Sequence, residues 1–201
     1  MFHFRSLCQY AAMRLSIALL LAACLVPCAS LASSDRDTVP DLNGVLVRPL
    51  SNHGQKASLF LFITTDCPIV NAYAAEMERI CAAYKRKGIS SYLVYTDNLQ
   101  SAKEDRHHAD AFKLRTAQSL RDAEHLLVKR FGAAITPQAA VALPGGRCVY
   151  LGRIDDRFVD FGKARYRPTT RDLRDALDAV LAGRRPAPAV GRAIGCYISN
   201  K

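Results

Sequence analysis

The chain has no acidic residue before Asp35, no apolar run of membrane-spanning length, no two cysteines in Cys-x-x-Cys spacing and no internal repeat. Each absence excludes something. A membrane-spanning helix needs about 20 apolar residues, and the longest mostly apolar run, residues 15–26, has 12. Without two thiols one helical turn apart, dithiol exchange within a single motif is not available. Basic residues outnumber acidic ones, 28 to 18, but they are scattered and mix with acids along the helical segments. There is no basic stripe interleaved with aromatics, which argues against nucleic-acid binding. Beyond residue 32 the cysteines are Cys67, Cys81, Cys148 and Cys196, an even count that permits disulfides in an exported protein but too few, in too long a chain, for a disulfide-dense scaffold.

The beginning of the chain reads as a targeting segment. Arg5 and Arg14 precede the apolar run, Pro27 breaks it, and Ser30-Leu31-Ala32 presents small residues where a signal peptidase cleaves. This is the pattern of a secretory signal peptide over residues 1–32, with Met13 an alternative start. Leu21-Ala22-Ala23-Cys24 also looks like a bacterial lipoprotein cleavage box, and processing there would leave a lipid anchor on Cys24. Cleavage after Ala32 is preferred because the apolar run continues past Cys24. The reading is an exported protein, periplasmic or secreted, or tethered as a lipoprotein. The remaining 169 residues suit one domain, at a net charge of +8.

Along that domain, residues 44–48 read as a short strand ended by Pro49. Residues 58–64 form an apolar run of the kind buried on both faces of a sheet. Residues 68–87 read as a helix, with Pro68 at its first position and Ile69, Tyr73, Met77, Ile80 and Tyr84 recurring at helical spacing. Residues 89–95 are a second apolar strand. Helices follow at 101–114 and 122–131. Residues 139–143 and 148–154 form a hairpin around Pro144-Gly145-Gly146. A polar loop spans 157–168, and Thr169 or Thr170 caps a final helix ending at Ala182. Residues 184–201 are an irregular tail.

Cys67 carries the chemistry. It lies between the strand 58–64 and the helix opened by Pro68, where unpaired N–H groups and the macrodipole favour a negative charge and lower a thiol's pKa. Asp66 beside it opposes this. A structural cysteine at a strand end is the alternative. Cys196, near the end of the tail, reads as mobile and exposed: an intermolecular bridge, a structural clamp or a thiol that resolves an oxidised Cys67. Cys81 is no partner for Cys67, because 14 residues of helix separate them by about 21 Å, well beyond disulfide reach. Cys81 and Cys148 read as small core residues. His107 and His108 lie on a charged helix and read as solvated. Neither His53 nor His125 gives a functional signal.

Several segments together carry a family resemblance. They are Phe62-Ile63-Thr64-Thr65-Asp66-Cys67-Pro68-Ile69-Val70, Thr136-Pro137, Gly152-Arg153-Ile154-Asp155-Asp156, residues 175–183 and Gly195-Cys196-Tyr197-Ile198. In their order and spacing the chain resembles the exported bacterial redoxins of the thioredoxin-like superfamily, which includes the alkyl hydroperoxide reductase/thiol-specific antioxidant group. The resemblance implies an α/β fold with a central mixed sheet flanked by helices. It adds an N-terminal strand, with the domain at 33–183 and the tail at 184–201. It implies a reactive Cys67 and a cis proline at Pro137 lying against it. It further implies a substrate groove around Pro68, Thr136, Pro137, Arg153, Asp155 and Asp156, and no cofactor. Departures narrow the function. Val70 stands where thioredoxins carry their second cysteine. Asn71 stands where copper-delivery relatives carry theirs, and soft metals need several such ligands. Thr64 and Pro68 fit the peroxiredoxin motif, Phe60 replaces its first proline, and Arg153 is the candidate for its peroxide-holding arginine. For Asp155 and Asp156, loop capping leads over a role towards substrate. The expectation is thiol-disulfide exchange by Cys67 with Cys196 as resolving thiol. The partners would be a protein or small-molecule disulfide, or a hydroperoxide, and an external dithiol reductant. A thiol peroxidase and a non-catalytic binding protein are the alternatives.

Overall fold

The computed structural model describes residues 38–51 and 54–199. The segment expected to be a signal peptide, with Cys24 and Ala32, lies outside them, as does His53. Among the described residues no helix is long and apolar enough to cross a membrane.

The seven residues Ala57–Ile63 form a strand, β3, in which every side chain is buried. Its alternation divides the core in two. Leu59, Leu61 and Ile63 pack with α1 (Pro68–Lys85) and α4 (Asp172–Leu181), while Phe60 and Phe62 pack with α3 (Leu126–Phe131). A strand that must be apolar on both faces is a strand covered by helices on both sides. Around it stands a five-stranded mixed sheet in the order β5 (Gln118–Arg121), β4 (Ile89–Tyr95), β3, β7 (Gln138–Ala142), β8 (Cys148–Gly152). β4 and β5 run parallel to β3, and β7 and β8 form the antiparallel hairpin. Helix α1 carries its apolar stripe, Ile69, Tyr73, Met77, Ile80 and Tyr84, into the first core.

Several elements depart from the sequence reading. The strand at 44–48 shrinks to β2 (Leu46–Val47), which pairs with a β1 (Val39–Pro40) not anticipated in the polar lead. The segment before α3 is the edge strand β5, and only residues 126–131 are helical. Asp122, outside the helix, accepts the N–H groups of Leu126 and Val128 at 2.7 and 2.9 Å. Between β4 and β5 in the chain comes α2 (Ala102–Ala111), closed at its start by a capping box between Ser101 and Glu104. The loop after β8 contains a small hairpin, β9 (Phe158–Asp160) and β10 (Lys163–Ala164). Thr169 and Thr170 do not cap α4, whose N-cap is Arg171 without a side-chain bond. They donate instead to Asp156. Cys81 is buried in the core, with its thiol pushed up to about 12 by that burial. Cys148 is exposed on β8, a correction to its reading as a core residue.

Candidate active site

β3 ends one turn before α1, and Cys67 is the residue between them. It is the N-cap of α1 in extended conformation, and its side chain makes no cap bond. That leaves the thiol free to point away from the helix, where it donates to the carbonyl oxygen of Thr136 at 3.2 Å. Thr136 closes the two-residue strand β6 (Ile135–Thr136), and the Thr136–Pro137 peptide bond is cis. The Thr136 hydroxyl is 3.3 Å from that of Thr64 and donates to the carbonyl of Cys196 at 3.4 Å. Pro68 is exposed at the first position of α1, and Asp66 is exposed beside it.

The end of the tail is not irregular, as the sequence suggests, and Cys196 is half-buried rather than exposed. Residues Cys196–Tyr197 form a strand, β11, antiparallel to β6, with Cys196 opposite Thr136 and Tyr197 opposite Ile135. The Ile198 N–H donates to Ala134 at 2.9 Å, and the Ile198 side chain is buried in the second core. The crossing is close. A Cβ on Gly195 would overlap the Thr136 carbonyl oxygen, standing 2.7 Å from the carbonyl carbon and 3.1 Å from the Ile135 side chain. Glycine is the residue that permits such an approach.

This docking brings the two cysteines together. β11 sets Cys196 opposite Thr136, whose carbonyl oxygen meets the Cys67 thiol at 3.2 Å, and both cysteines are free thiols. Burial first, then the neighbouring Cys67 and the Asp66 carboxylate, push the Cys196 thiol up to about 12. Cys67 is 0% exposed, while Cys196 is half-buried. Of the two, Cys196 is the residue partly open to solvent.

The other anticipated groove residues lie in structural roles. Arg153 is 3.1 Å from Asp172 and donates to Thr170 at 3.2 Å, with the backbone of Gly191 against its guanidinium. It ties β8 to the start of α4 and to the tail rather than reaching out to the cysteines. Buried Asp155 accepts the Tyr73 hydroxyl and the Arg157 N–H. Burial raises its carboxyl above the usual range, against those two hydrogen bonds. Asp156 gathers the Thr169 hydroxyl, the N–H groups of Thr169 and Thr170, and Arg165. Desolvation raises this carboxyl, but those donors outweigh it and hold it at about 2. Both aspartates fasten the loop after β8.

A polar chain behind Cys67 was missed by the sequence reading, which placed His108 on a solvated face. His108 is buried. One ring nitrogen, Nε2, is 2.9 Å from the Asn71 side-chain oxygen, and Nδ1 is 3.0 Å from the Tyr95 hydroxyl. The Asn71 amide donates in turn to Thr65 at 3.4 Å. Burial lowers the His108 pKa. A neutral ring with its proton on Nε2 gives each contact one donor and one acceptor. The chain links α2 to the loop that carries Cys67. Its signal in the sequence was the three-residue spacing of Asp105 and His108, the two buried residues of α2. Among the described residues no group of three His, Cys, Asp or Glu side chains forms a metal site.

No family model matches the chain, and no curated protein matches it. Solved structures do. A hypothetical protein from Sinorhizobium meliloti superposes with a TM-score of 0.67 at 27% identity, over 80% of this chain and 88% of that one. An uncharacterized protein from Geobacillus kaustophilus gives 0.67 at 25% identity, over 82% and 88%. A secreted disulfide oxidoreductase from Mycobacterium tuberculosis gives 0.50 at 18% identity, over 75% and 99%. The fold is thioredoxin-like: an α/β domain with a central mixed sheet flanked by helices.

Proposed function

We propose that the protein is an exported thiol-disulfide oxidoreductase of the redoxin type, with Cys67 as nucleophile and Cys196 as resolving thiol. The observation that carries this reading is that both cysteines converge on Thr136: the pairing of β11 with β6 sets Cys196 opposite it, and the Cys67 thiol meets its carbonyl oxygen at 3.2 Å. The second thiol that thioredoxins place one turn along the helix is supplied here by a strand from the far end of the domain. The Cys67 thiolate attacks a disulfide and forms a mixed disulfide. Cys196 then attacks Cys67, releases the substrate thiol and closes a Cys67–Cys196 bond. An external dithiol reductant reopens it. Thr136 and cis Pro137 shape the wall beside Cys67. Export, periplasmic or beyond, rests on the first 32 residues, and membership of the alkyl hydroperoxide reductase/thiol-specific antioxidant branch rests on the motifs around Cys67.

A second reading is favoured by the complete burial of Cys67, which suits a small oxidant. A hydroperoxide would convert the thiolate to a sulfenic acid and leave as an alcohol or water. Cys196 would then displace a second water and form the same bond. Thr64 fits the motif of such enzymes, although its hydroxyl is spent on Thr136.

The test is a cysteine map of the mature protein after diamide or a stoichiometric hydroperoxide, alkylated and digested without reduction. A reversible Cys67–Cys196 bond, lost in Cys67→Ser together with exchange activity, is the expected result. A free Cys67 and unchanged activity in Cys67→Ser would overturn the reading and favour a binding protein. The choice of oxidant separates the two enzymatic readings.

A further inference from the structure

We infer that Cys196, not Cys67, is the sulfur that an external protein dithiol attacks when it reduces the protein. This rests on the two-cysteine reading above and adds the point of attack and the class of partner.

Three observations converge. First, a thiolate displaces a disulfide sulfur from the side opposite the bond that breaks. For a Cys67–Cys196 bond, attack on Cys67 must come from the side away from Cys196. Cys67 is 0% exposed and belongs to the first core with Ile69 and Val70, so no opening to solvent leads to its sulfur. Attack on Cys196 comes from the side away from Cys67, and Cys196 is only half-buried. Second, the edge of β6 beside Thr136 is already taken by β11. A partner cannot lay a strand against Thr136 and reach Cys67 without first removing the tail. Third, a disulfide breaks faster when the departing thiol has the lower pKa. Attack at Cys67 would expel Cys196, whose thiol burial pushes up and which has no helix terminus beside it. Attack at Cys196 expels Cys67 at the start of α1, against the unpaired N–H groups of its first turn.

The step balances as follows. The partner thiolate bonds to Cys196 as the Cys67–Cys196 bond breaks, and Cys67 leaves as a thiolate. The partner's second thiol then attacks the partner sulfur of the mixed disulfide. Cys196 departs and takes a proton, and the partner ends as a disulfide, having given up two electrons.

The experiment uses the full mature chain with Cys148→Ser, which removes the exposed thiol of β8. The protein is oxidised with diamide, and its Cys67–Cys196 bond is verified by peptide mass. A thioredoxin whose resolving cysteine is replaced by serine is then added. The mixture is quenched in acid, alkylated and digested without reduction. The probe should be found on the peptide containing Cys196, with Cys67 alkylated, at least tenfold over the reverse. A probe bound mainly to Cys67, or shared equally, overturns the inference. So does a bond that yields to dithiothreitol but not to the protein probe. A chain that never forms the Cys67–Cys196 bond fails one step earlier and refutes the two-cysteine reading itself.

Discussion

Replacing Gly195 with alanine tests whether the tail holds the site closed. The added Cβ has no room, because it overlaps the backbone of Thr136 and touches Ile135. Neither is the far end of a flexible side chain, so relief requires β11 to lift from β6. The docking that is lost can be sized. Burial of Ile198 contributes about 1.5–3 kcal/mol. The strand bonds and the Ile198 N–H to Ala134 bond contribute about 1 kcal/mol each. Losing about 3 kcal/mol of this raises the open population about 100-fold, at a factor of ten per 1.4 kcal/mol. The assay is the rate of iodoacetamide labelling of reduced protein, followed peptide by peptide. In Gly195→Ala, Cys67 should label about 100 times faster than in the parent, while buried Cys81 keeps its parent rate and the circular dichroism is unchanged. If Cys67 labels at the parent rate, β11 does not control access and the argument from its burial is wrong.

Three further outcomes follow from the polar groups. Asp105 is 0% exposed, and both its oxygens lack a hydrogen-bond partner. Burial pushes its carboxyl up to about 6, with Arg121 at 3.6 Å opposing and Asp97 and Glu104 adding. A folded pKa above the unfolded value of about 3.9 means that stability rises as pH falls from about 6 to about 4. Above that window the ionised group costs up to about 3 kcal/mol. Asp105→Asn should therefore raise the urea midpoint at pH 7.5 and flatten this pH dependence, and a lowered midpoint would contradict the argument. His108→Phe leaves the Tyr95 hydroxyl and the Asn71 side chain unpaired inside the protein. The cost is about 1–3 kcal/mol per group, read by urea unfolding, with an accompanying change in Cys67 labelling because Asn71 no longer steadies Thr65. Ser101→Ala removes the capping box of α2 and should cost about 1 kcal/mol in thermal or urea unfolding, with no change in cysteine reactivity.

The parts of the fold legible in the sequence are those where one pattern dominates. The run at 58–64 and the segment 89–95 read as buried strands because nearly every residue in them is apolar, and they became β3 and β4. The helical spacing behind Pro68 located α1. β5 was not legible because Gln118-Ser119-Leu120-Arg121 buries one residue of four. It is a strand because β4 offers it an edge, not because its composition demands one. His108 faces inward from a helix rich in charge, and only the position of Asn71 and Tyr95 explains why. The tail contains Pro186, Pro188, Gly191 and Gly195, which speak for irregular chain. Its docking depends on a long-range pairing with β6 that no local pattern encodes. Arg153 stood in the right segment for a groove residue, but its direction is set by Asp172 on another element.

The distance along the chain between the two cysteines has a thermodynamic consequence. A bond between Cys67 and Cys196 joins positions 129 apart. Closing so long a loop removes about 5 kcal/mol of freedom from the unfolded chain, whereas a Cys-x-x-Cys ring removes about 2 kcal/mol. By linkage the native state strengthens the bond by the same 5 kcal/mol, between three and four powers of ten in the exchange equilibrium. The reduction potential of such a pair is coupled to the integrity of the whole domain. Urea, heat or any substitution that weakens the fold should make the bond easier to reduce, and a potential measured across a denaturant series would trace the unfolding curve.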